Sequence, residues 1–253
     1  MNTTARDIMG GLGKGLLVIE TFTADRPRQS IAEVSAASGL DRATARRCLL
    51  TLAHFGYADY DGKYFTLTPR ILRLGTACLA TMPLPQLVQP QLDQLADLLG
   101  ESASVSILDG SDIVYVARAA QRKVMSIALM PGSRLPAFCT SMGRVLLAAL
   151  PEATALAVIA AAPLVPRTRH TVTDPATIMA ELAQIRAQGY ALIDQEVELG
   201  LRSIAVPLHN ARGGVVAALN VGVAATQAGV GDLTGLYLAP LRSVQAELRA
   251  MLG

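Results

Sequence analysis

Three arginines fall on one face of a short predicted helix, a pattern suited to contact with DNA. Asp41 can cap the start of this helix, and the segment RATARRCLLTLAHF that follows has apolar residues at the i, i+3, i+4 and i+7 spacing of a buried face. The residues predicted on the opposite, exposed face are Arg42, Ala43, Thr44, Arg46 and Arg47. Arginine neutralises phosphate and forms paired hydrogen bonds with guanine. We therefore expect the helix to lie in the major groove; the alternative is that its arginines are simply solvated.

The residues on either side of this helix complete the pattern of a winged helix-turn-helix. Upstream, Ser30 and Glu33 have the S-x-x-E spacing of a capping box at the start of a first helix. Downstream, Asp61-Gly62 predicts a tight type I′ turn between two aromatic-rich strands, with Lys63 at the tip. We expect Ser30 and Lys63 to add contacts to the DNA; the alternative for Lys63 is a solvated turn residue.

A second group of polar residues, near the middle of the chain, could bind a small carboxylate. The segment GSRLPAFCTSMGRVLLA predicts a loop that runs into a helix, whose first turn carries a partial positive charge. The groups in that turn are the hydroxyls of Thr140 and Ser141 and the amides of Met142 and Gly143. Arg118 and Arg134 are candidate counter-charges, because a buried carboxylate needs a partner. The alternatives are that the hydroxyls only cap the helix and that the arginines lie at the surface.

The residue patterns that support catalysis or metal binding are missing from the sequence. Its three histidines are isolated and its three cysteines are widely spaced, which fits neither a zinc site nor a disulfide framework. It has no nucleophile elbow, phosphate-binding loop or dinucleotide fingerprint. Asp194, Glu196 and Glu198 alternate along a predicted strand and loop, and we interpret them as a solvent-facing edge rather than an acid–base pair. We expect a protein that is not an enzyme and uses no metal or cofactor.

Composition and charge fit a two-domain protein whose first part contacts phosphate. The chain has 253 residues, 51% of them hydrophobic, which suffices for a large core. No apolar run is long enough for a membrane span and no signal pattern precedes the first helix, so we expect a cytoplasmic protein without a membrane partner. Residues 1–82 hold ten Lys and Arg against seven Asp and Glu, whereas the remainder holds 12 against 13. This modest bias is compatible with DNA binding.

The order of predicted elements indicates an α+β fold with three parts. We expect a winged helix-turn-helix domain in residues 10–82, a proline-marked linker and linker helix in residues 83–100, and an α/β effector domain in residues 101–253. In the last part, a hairpin across Asp109-Gly110, a third strand over 124–130 and three later strands predict a GAF- or profilin-like antiparallel sheet covered by helices. The leucine-rich helix after the prolines could pack on its own domain or pair in a dimer.

The whole chain resembles the IclR family of bacterial transcriptional regulators. The matching segments run in order over residues 10–250 and include GKGLLVIETF, LDRATARRCLLTLAHFGY, DGSDIVYVAR and IDQEVELGLRSIAVPL. ARR at 45–47, LTPRILRLG and TSMGR are most similar to the subgroup that controls protocatechuate, p-hydroxybenzoate and β-ketoadipate catabolism. The resemblance implies a dimer or tetramer that binds palindromic operator DNA, and an effector cavity that includes Leu201, Ser203 and Asn220.

These features together predict a ligand-responsive transcriptional regulator of an aromatic acid pathway. The expected effector is a small carboxylate, hydroxybenzoate-like or β-ketoadipate-like, and the apolar Met142 and Ile193 favour the larger, flatter hydroxybenzoate. Two other functions remain open: an enzyme that processes a small acid, and a constitutive DNA-binding protein whose C-terminal domain only oligomerises. If the predicted helix binds DNA, Arg46→Ala should abolish operator binding while the protein stays folded.

Overall fold

The chain forms two compact units, residues 1–81 and 82–253, in a computed structural model that describes residues 8–23, 25–81, 83–121 and 129–252. In its described residues the first unit contains four α-helices and three short strands, with a 3-10 turn over Pro69–Ile71. In chain order these elements are α1 (Gly10–Glu20), β1 (Arg28–Gln29), α2 (Ile31–Ser38), α3 (Arg42–His54), β2 (Ala58–Tyr60), β3 (Phe65–Leu67) and α4 (Leu72–Thr81). The antiparallel strands lie in the order β1-β3-β2. This is the predicted winged helix-turn-helix, with β1 as an additional strand.

Local sequence signals explain the ends of the two central helices. The Ser30 side chain accepts a hydrogen bond from the Glu33 amide while the Glu33 carboxylate accepts one from the Ser30 amide, so the predicted capping box is present. Gly39, with φ of +70°, ends α2 in the left-handed conformation that glycine tolerates best. Asp41 caps α3 by accepting from the Thr44 amide. A core that includes Val34, Leu49 and Phe65 holds the helices against the sheet.

The predicted type I′ turn at Asp61-Gly62 is wrong. Tyr60 pairs with Phe65, which leaves a four-residue loop, and only Gly62 in it has a positive φ. A type I′ turn needs positive φ at both central residues. The Asp61 carboxylate instead closes the loop by accepting hydrogen bonds from the amides of Lys63 and Tyr64.

The second unit contains six strands and five helices in its described residues, with a 3-10 turn over Ala137–Cys139. The helices are α5 (Pro83–Leu99), α6 (Ser141–Ala148), α7 (Glu152–Ala161), α8 (Pro175–Gln188) and α9 (Val230–Arg249). The strands are β4 (Ser102–Asp109), β5 (Asp112–Ala119), β6 (Arg134–Pro136), β7 (Ala191–Asp194), β8 (Leu201–His209) and β9 (Val215–Ala224). They form one antiparallel sheet in the order β6-β5-β4-β9-β8-β7.

Helices cover both faces of this sheet, so the predicted α+β arrangement is confirmed. Helices α5 and α9 pack on one face over a core of aliphatic residues that includes Val105, Leu219 and Leu241. Helix α6 packs on the other face, and α7 and α8 pack behind it. None of the described helices is both long and apolar enough to cross a membrane. The third strand expected over 124–130 falls mostly on residues 122–128, which lie outside the described residues.

The three prolines predicted to mark a linker lie inside α5. Pro83 and Pro85 occupy the first turn, where an amide has no partner within the helix and proline costs nothing. Pro90 lies in the interior of the helix. The apolar face, with Val88, Leu92 and Leu95, is buried against β4, β5 and α9. Of the two roles considered for this helix, packing on its own domain is therefore observed. The three-part division at residues 82 and 100 stays a prediction.

Candidate DNA-binding surface and ligand cavity

Helix α3 presents an exposed basic face. Arg42, Ala43, Arg46 and Arg47 are all exposed along it, and the opposite side of the helix packs against α1 and α2 through Ala45 and Leu49. The three guanidinium groups therefore project from one side of a helix whose backbone is fixed by its neighbours. Such a surface can present donors to base edges and phosphates in a major groove.

Two residues predicted on the DNA side have structural roles. Thr44 is only 7% exposed, because the helix turns its side chain toward the buried side, beside Ala45. The expectation that Thr44 faces DNA is therefore wrong. Ser30 is partly buried, and its hydroxyl hydrogen-bonds the Glu33 carboxylate at 2.6 Å as part of the capping box. Its position at the start of α2 is compatible with contact to a phosphate, but its side chain already has a partner.

The wing, which comprises strands β1, β2 and β3 and the loop of residues 61–64, carries two cations around one aromatic ring. The Arg28 guanidinium lies 4.2 Å from the centroid of the Tyr64 ring and pairs with Asp61, while the Lys63 ammonium lies 5.0 Å from the same centroid. Arg28 enters the wing because β1 pairs with β3, which places it opposite Thr66. Sequence reasoning missed Arg28, since a two-residue strand has too short an alternation to be recognised.

The Asp61 carboxylate interacts with several groups of the wing. Hydrogen bonds from the Tyr64 amide, the Arg28 side chain and the Lys63 amide hold the pKa of the Asp61 carboxyl far below its usual range. The same ion pair raises the pKa of Arg28. The carboxylate thus keeps its charge well into acid and fixes the loop that presents Lys63.

The second unit contains a cavity between α6 and the face of the sheet that α6 covers. About 500 Å³ of space lies between its lining atoms, the open mouth included. The residues that line it are Ser102, Tyr115, Arg118, Leu129, Leu135, Thr140, Ser141, Met142, Val197, Leu201, Ser203, Asn220 and Gly222. Seven of these thirteen residues have polar side chains, one of them charged, and the others are apolar.

Three polar atoms on these lining residues are buried and have no hydrogen-bond partner in the described part of the chain. They are Nε of Arg118, Oγ of Ser141 and Oδ1 of Asn220. Buried polar atoms are nearly always paired, so a cluster of unpaired ones at a cavity indicates a place for a ligand or water. Arg118 and Ser141 can donate and Asn220 can accept. The set therefore matches a ligand with both an acceptor group and a hydroxyl.

A β-bulge aims Arg118 into the cavity. Pairing between β4 and β5 shifts register between Val105 and Ser106, because β5 has one extra residue there. The shift reverses the alternation, so Tyr115 and Arg118, three residues apart, both face the cavity. Arg118 donates to the Ser104 hydroxyl at 2.8 Å, and no described carboxylate lies within ion-pair distance of it. Burial lowers the pKa of Arg118 and raises that of Tyr115 to about 12.

The start of α6 provides the opposite wall. Thr140 caps the helix, because its Oγ1 accepts a hydrogen bond from the Gly143 amide at 3.1 Å. Gly143 itself does not line the cavity, and its amide is used by this cap. Ser141 and Met142 follow the cap and do line the cavity, and the sulfur of Met142 accepts a hydrogen bond from the Ser106 hydroxyl at 3.2 Å. The positive end of the helix dipole therefore lies at the cavity.

Arg134, the other predicted counter-charge, lies elsewhere. It is at the exposed edge strand β6, where it pairs with Asp109 at 2.6 Å and with Asp112 at 3.3 Å. It does not line the cavity. The expectation fails because β6 pairs antiparallel with β5, which brings Arg134 beside the hairpin turn and its two carboxylates. Arg118 is thus the one cation among the described lining residues.

Of the other residues predicted at the cavity, Leu201, Ser203 and Asn220 line it as expected. Ile193 is buried in β7 and does not line it. Sequence reasoning missed Ser102, Tyr115 and Val197. The signal for Ser102 was present, because serines alternate with apolar residues along SASVSI and mark one face of β4 as small and polar. No group of three or more potential metal ligands is found among the described residues.

Known proteins are similar to this chain in both sequence and fold. Residues 11–62 match the family described as the IclR helix-turn-helix domain, and residues 76–245 match the bacterial transcriptional regulator IclR C-terminal family. The Pca regulon regulatory protein of Pseudomonas putida is 46% identical over 216 residues, which cover 85% of this chain and 74% of that protein.

Two solved structures extend the likeness to three dimensions. A transcriptional regulator from Rhodococcus sp. RHA1 is 41% identical, with a TM-score of 0.80 over 97% of this chain and 98% of that one. The inducer-binding domain of the PobR transcription factor from Acinetobacter, a double mutant in complex with 3-hydroxybenzoic acid, is 33% identical, with a TM-score of 0.63 over 66% of this chain and 98% of that one. The predicted family and subgroup are both confirmed: the chain belongs to the IclR family of bacterial transcriptional regulators, alongside regulators of Pca and hydroxybenzoate type.

Proposed function

We propose that this chain is a cytoplasmic regulator of an aromatic acid pathway whose second unit binds a hydroxybenzoate-like monocarboxylate and whose first unit binds palindromic operator DNA. In this proposal the protein acts as a dimer or tetramer, since two-fold symmetric proteins favour palindromic sites. The residues proposed to contact DNA are Arg42, Ala43, Arg46, Arg47 and Lys63. Arg28, on the same wing as Lys63, is added to them.

The observation that carries the effector proposal is the set of unpaired buried atoms around the cavity. A carboxylate would accept from Arg118 and from the Ser141 hydroxyl at the positive end of α6. A ligand hydroxyl would donate to Oδ1 of Asn220. Between these polar groups, the side chains of Leu135, Met142 and Val197 offer an apolar surface to an aromatic ring.

Charge separates the two effector classes that the sequence left open. A β-ketoadipate-like ligand carries two carboxylates, and the described cavity wall offers one cation, Arg118. A second carboxylate buried without a counter-charge would be strongly unfavourable. A hydroxybenzoate carries one carboxylate and one hydroxyl, which fits the unpaired donors and acceptor. The complex of the PobR domain with 3-hydroxybenzoic acid supports this choice.

Binding without turnover is the proposed role of the cavity. Its described lining includes no histidine, cysteine or carboxylate, so no general base lies beside Ser141 to activate it as a nucleophile. The interpretation of the protein as a regulator rather than an enzyme rests on this lining and on the family. A chemically unchanged ligand after prolonged incubation with the protein is the corresponding expectation.

The test measures both sites on the full chain. An operator duplex is first selected from random sequences by binding to the protein. The affinity of the protein for this duplex is then measured with and without 4-hydroxybenzoate. Its affinity for 4-hydroxybenzoate, 3-hydroxybenzoate and adipate is measured by calorimetry. We expect wild type to bind a hydroxybenzoate at least tenfold more tightly than adipate. Arg118→Gln should lose this binding and keep the operator, whereas Arg46→Ala should lose the operator and keep the ligand.

Two results would overturn the proposal. Tighter binding of adipate than of either hydroxybenzoate would mean that the cavity accepts two carboxylates, against the charge argument. Unchanged operator affinity and salt dependence in Arg46→Ala would mean that α3 does not bind DNA. Gln184→Ala, an exposed position on α8 outside the cavity lining, serves as the matched control and should alter neither affinity.

A further inference from the structure

Among the described residues of the second unit, the most deeply buried charged side chain is that of Arg144, which does not line the ligand cavity. It lies on α6, one turn after the cavity-lining Ser141, and its side chain is 2% exposed. Its Nε donates to the Phe138 carbonyl at 2.8 Å, and its two terminal nitrogens contact the carboxylates of Glu181 and Glu196. A charge buried in this way needs close partners, and each of its nitrogens has one.

Glu196 connects this arginine to the opposite wall of the cavity. The sequence interpretation of Glu196 as part of a solvent-facing edge is wrong, because it is buried, accepts from Arg144 at 2.8 Å and accepts from the Val172 amide at 2.9 Å. The next residue, Val197, lines the cavity, and so does Leu201 four residues further on. One buried ion pair therefore joins the helix that carries Ser141 to the loop that carries Val197.

The loop itself is held in a strained conformation. Gln195, at its start, has φ of +59°, the single non-glycine residue with a positive φ in the described chain. Its carbonyl accepts from the Thr168 hydroxyl at 2.7 Å, and its side chain accepts from the Gly200 amide at 2.9 Å. A conformation of this kind persists only where neighbouring contacts fix it. The adjacent Glu196 provides a buried contact, its ion pair with Arg144.

Arg144 also contacts the turn that precedes α6, through the Phe138 carbonyl. Phe138 lies in the 3-10 turn just before Thr140 and Ser141, so the Arg144 guanidinium holds this turn and Glu196 at the same time. The guanidinium is planar and rigid, and three of its nitrogens are used for different elements. It therefore fixes the separation between the Thr140–Met142 wall and the Val197–Leu201 wall.

We propose that Arg144 and Glu196 are positioning residues that set effector affinity by holding these two cavity walls at a fixed separation. The proposal deepens the proposed function, because it assigns a control of affinity to residues that do not touch the ligand. Glu181 is the other partner of Arg144, but it is attached to α8, is about one-third exposed, and contributes nothing to the cavity wall. The two glutamates thus share one guanidinium and differ in what they are attached to.

This difference provides the test. Glu196→Gln and Glu181→Gln each remove one negative charge from the same arginine with little change in volume. The full-length variants and wild type are compared for 4-hydroxybenzoate affinity by calorimetry, for thermal unfolding, and for hydrogen–deuterium exchange without ligand. We expect Glu196→Gln to weaken ligand binding at least tenfold and to accelerate exchange of the amides in 138–142 and 195–201. We expect Glu181→Gln to bind the ligand within threefold of wild type, with exchange in those segments unchanged.

The outcomes separate this inference from the proposed function. If the two variants lose affinity equally, and in proportion to the decrease in their unfolding temperatures, the ion cluster is merely structural and the inference is overturned. Unchanged exchange in 138–142 and 195–201 of Glu196→Gln would overturn it too, and that readout needs no ligand. Failure of wild type to bind any hydroxybenzoate would instead count against the proposed effector, while the exchange experiment would still decide whether Glu196 holds the walls.

Discussion

Gly143 allows the loop before α6 to pack directly on the helix. A Cβ at this position would lie 2.2 Å from the Ala137 carbonyl oxygen and 2.5 Å from Oγ1 of Thr140. Neither neighbour can move freely, because the first is backbone and the second is fixed by its capping role. The close approach brings the 3-10 turn over Ala137–Cys139 against α6 and so places Thr140 and Ser141 at the cavity.

Replacing this glycine should therefore be costly. We expect Gly143→Ala to lower the free energy of unfolding by at least about 1–3 kcal/mol, the usual range for overpacking, and to weaken 4-hydroxybenzoate binding by displacing Ser141. Gly235→Ala is the matched control, since Gly235 lies inside α9 with nothing within 4 Å of an added Cβ. It should raise the free energy of unfolding by up to about 1 kcal/mol through helix propensity. Urea unfolding measures both; equal effects would contradict the packing argument.

The two arginines proposed as counter-charges show what a sequence reveals about a single residue. Both have the right chemistry, but the sequence predicted a loop at Arg134, where the structure has strand β6. The choice between them depends on a bulge in β5 and on the pairing of β6 with β5. Neither feature has a local signature, because register is set by packing across the sheet. The prediction for Thr44 fails for a related reason. An error of one residue in the assigned face of a helix turns a residue expected to be exposed into a buried one.

Among the elements, the wing depends on one carboxylate. Asp61 closes the loop between β2 and β3 through two backbone amides and pairs with Arg28 on β1, so all three strands are linked to it. Its pKa is held far below the usual range in the folded state. A carboxyl whose pKa is lowered by folding stabilises the protein while it is ionised, and that contribution is lost as the pH falls through the folded-state pKa.

Acid should therefore loosen the wing, and Asp61→Asn should remove part of this sensitivity. The contribution of Asp61 is fully present above the unfolded pKa of about 4 and decreases progressively below it. We expect the urea midpoint of the amide NMR signals of residues 58–67 to fall between pH 5 and pH 2 in wild type. The slope should be shallower in Asp61→Asn, which is less stable at pH 7. Asp59→Asn, an exposed position on β2 of the same hairpin, should keep the wild-type slope.

Elements were easier to predict from the sequence than the details of their ends. Capping residues and apolar periodicity predicted α2 and α3 correctly, because these signals act over one or two turns of a helix. The three prolines that suggested a break in the chain lie within α5, because two of them fall in its first turn, where proline is favoured, and tertiary packing accommodates Pro90. The Asp61 loop was assigned a type I′ turn because Asp-Gly favours one, whereas the observed loop is held by hydrogen bonds from the Lys63 and Tyr64 amides to the Asp61 side chain.

For the whole molecule, the basic face of α3 and the ligand cavity lie in different units of the chain. An effect of ligand on operator binding is therefore a coupling free energy between two separate sites. Couplings of this kind are typically about 1–3 kcal/mol, or 5- to 150-fold in affinity. The coupling is independent of how tightly either partner binds, because a ligand shifts an equilibrium only through its different affinities for the two states.

Thermodynamic linkage makes this coupling testable from both sides. If 4-hydroxybenzoate changes the operator Kd by some factor, operator DNA must change the 4-hydroxybenzoate Kd by the same factor. We expect a common factor between about 5 and 150, measured by fluorescence anisotropy of labelled operator at saturating ligand and by calorimetry of ligand at saturating operator. Arg118→Gln should remove the effect of ligand on DNA while leaving the ligand-free operator Kd unchanged. A factor of one in a protein that binds both partners would support constitutive DNA binding, in which the cavity is occupied without any consequence for the operator.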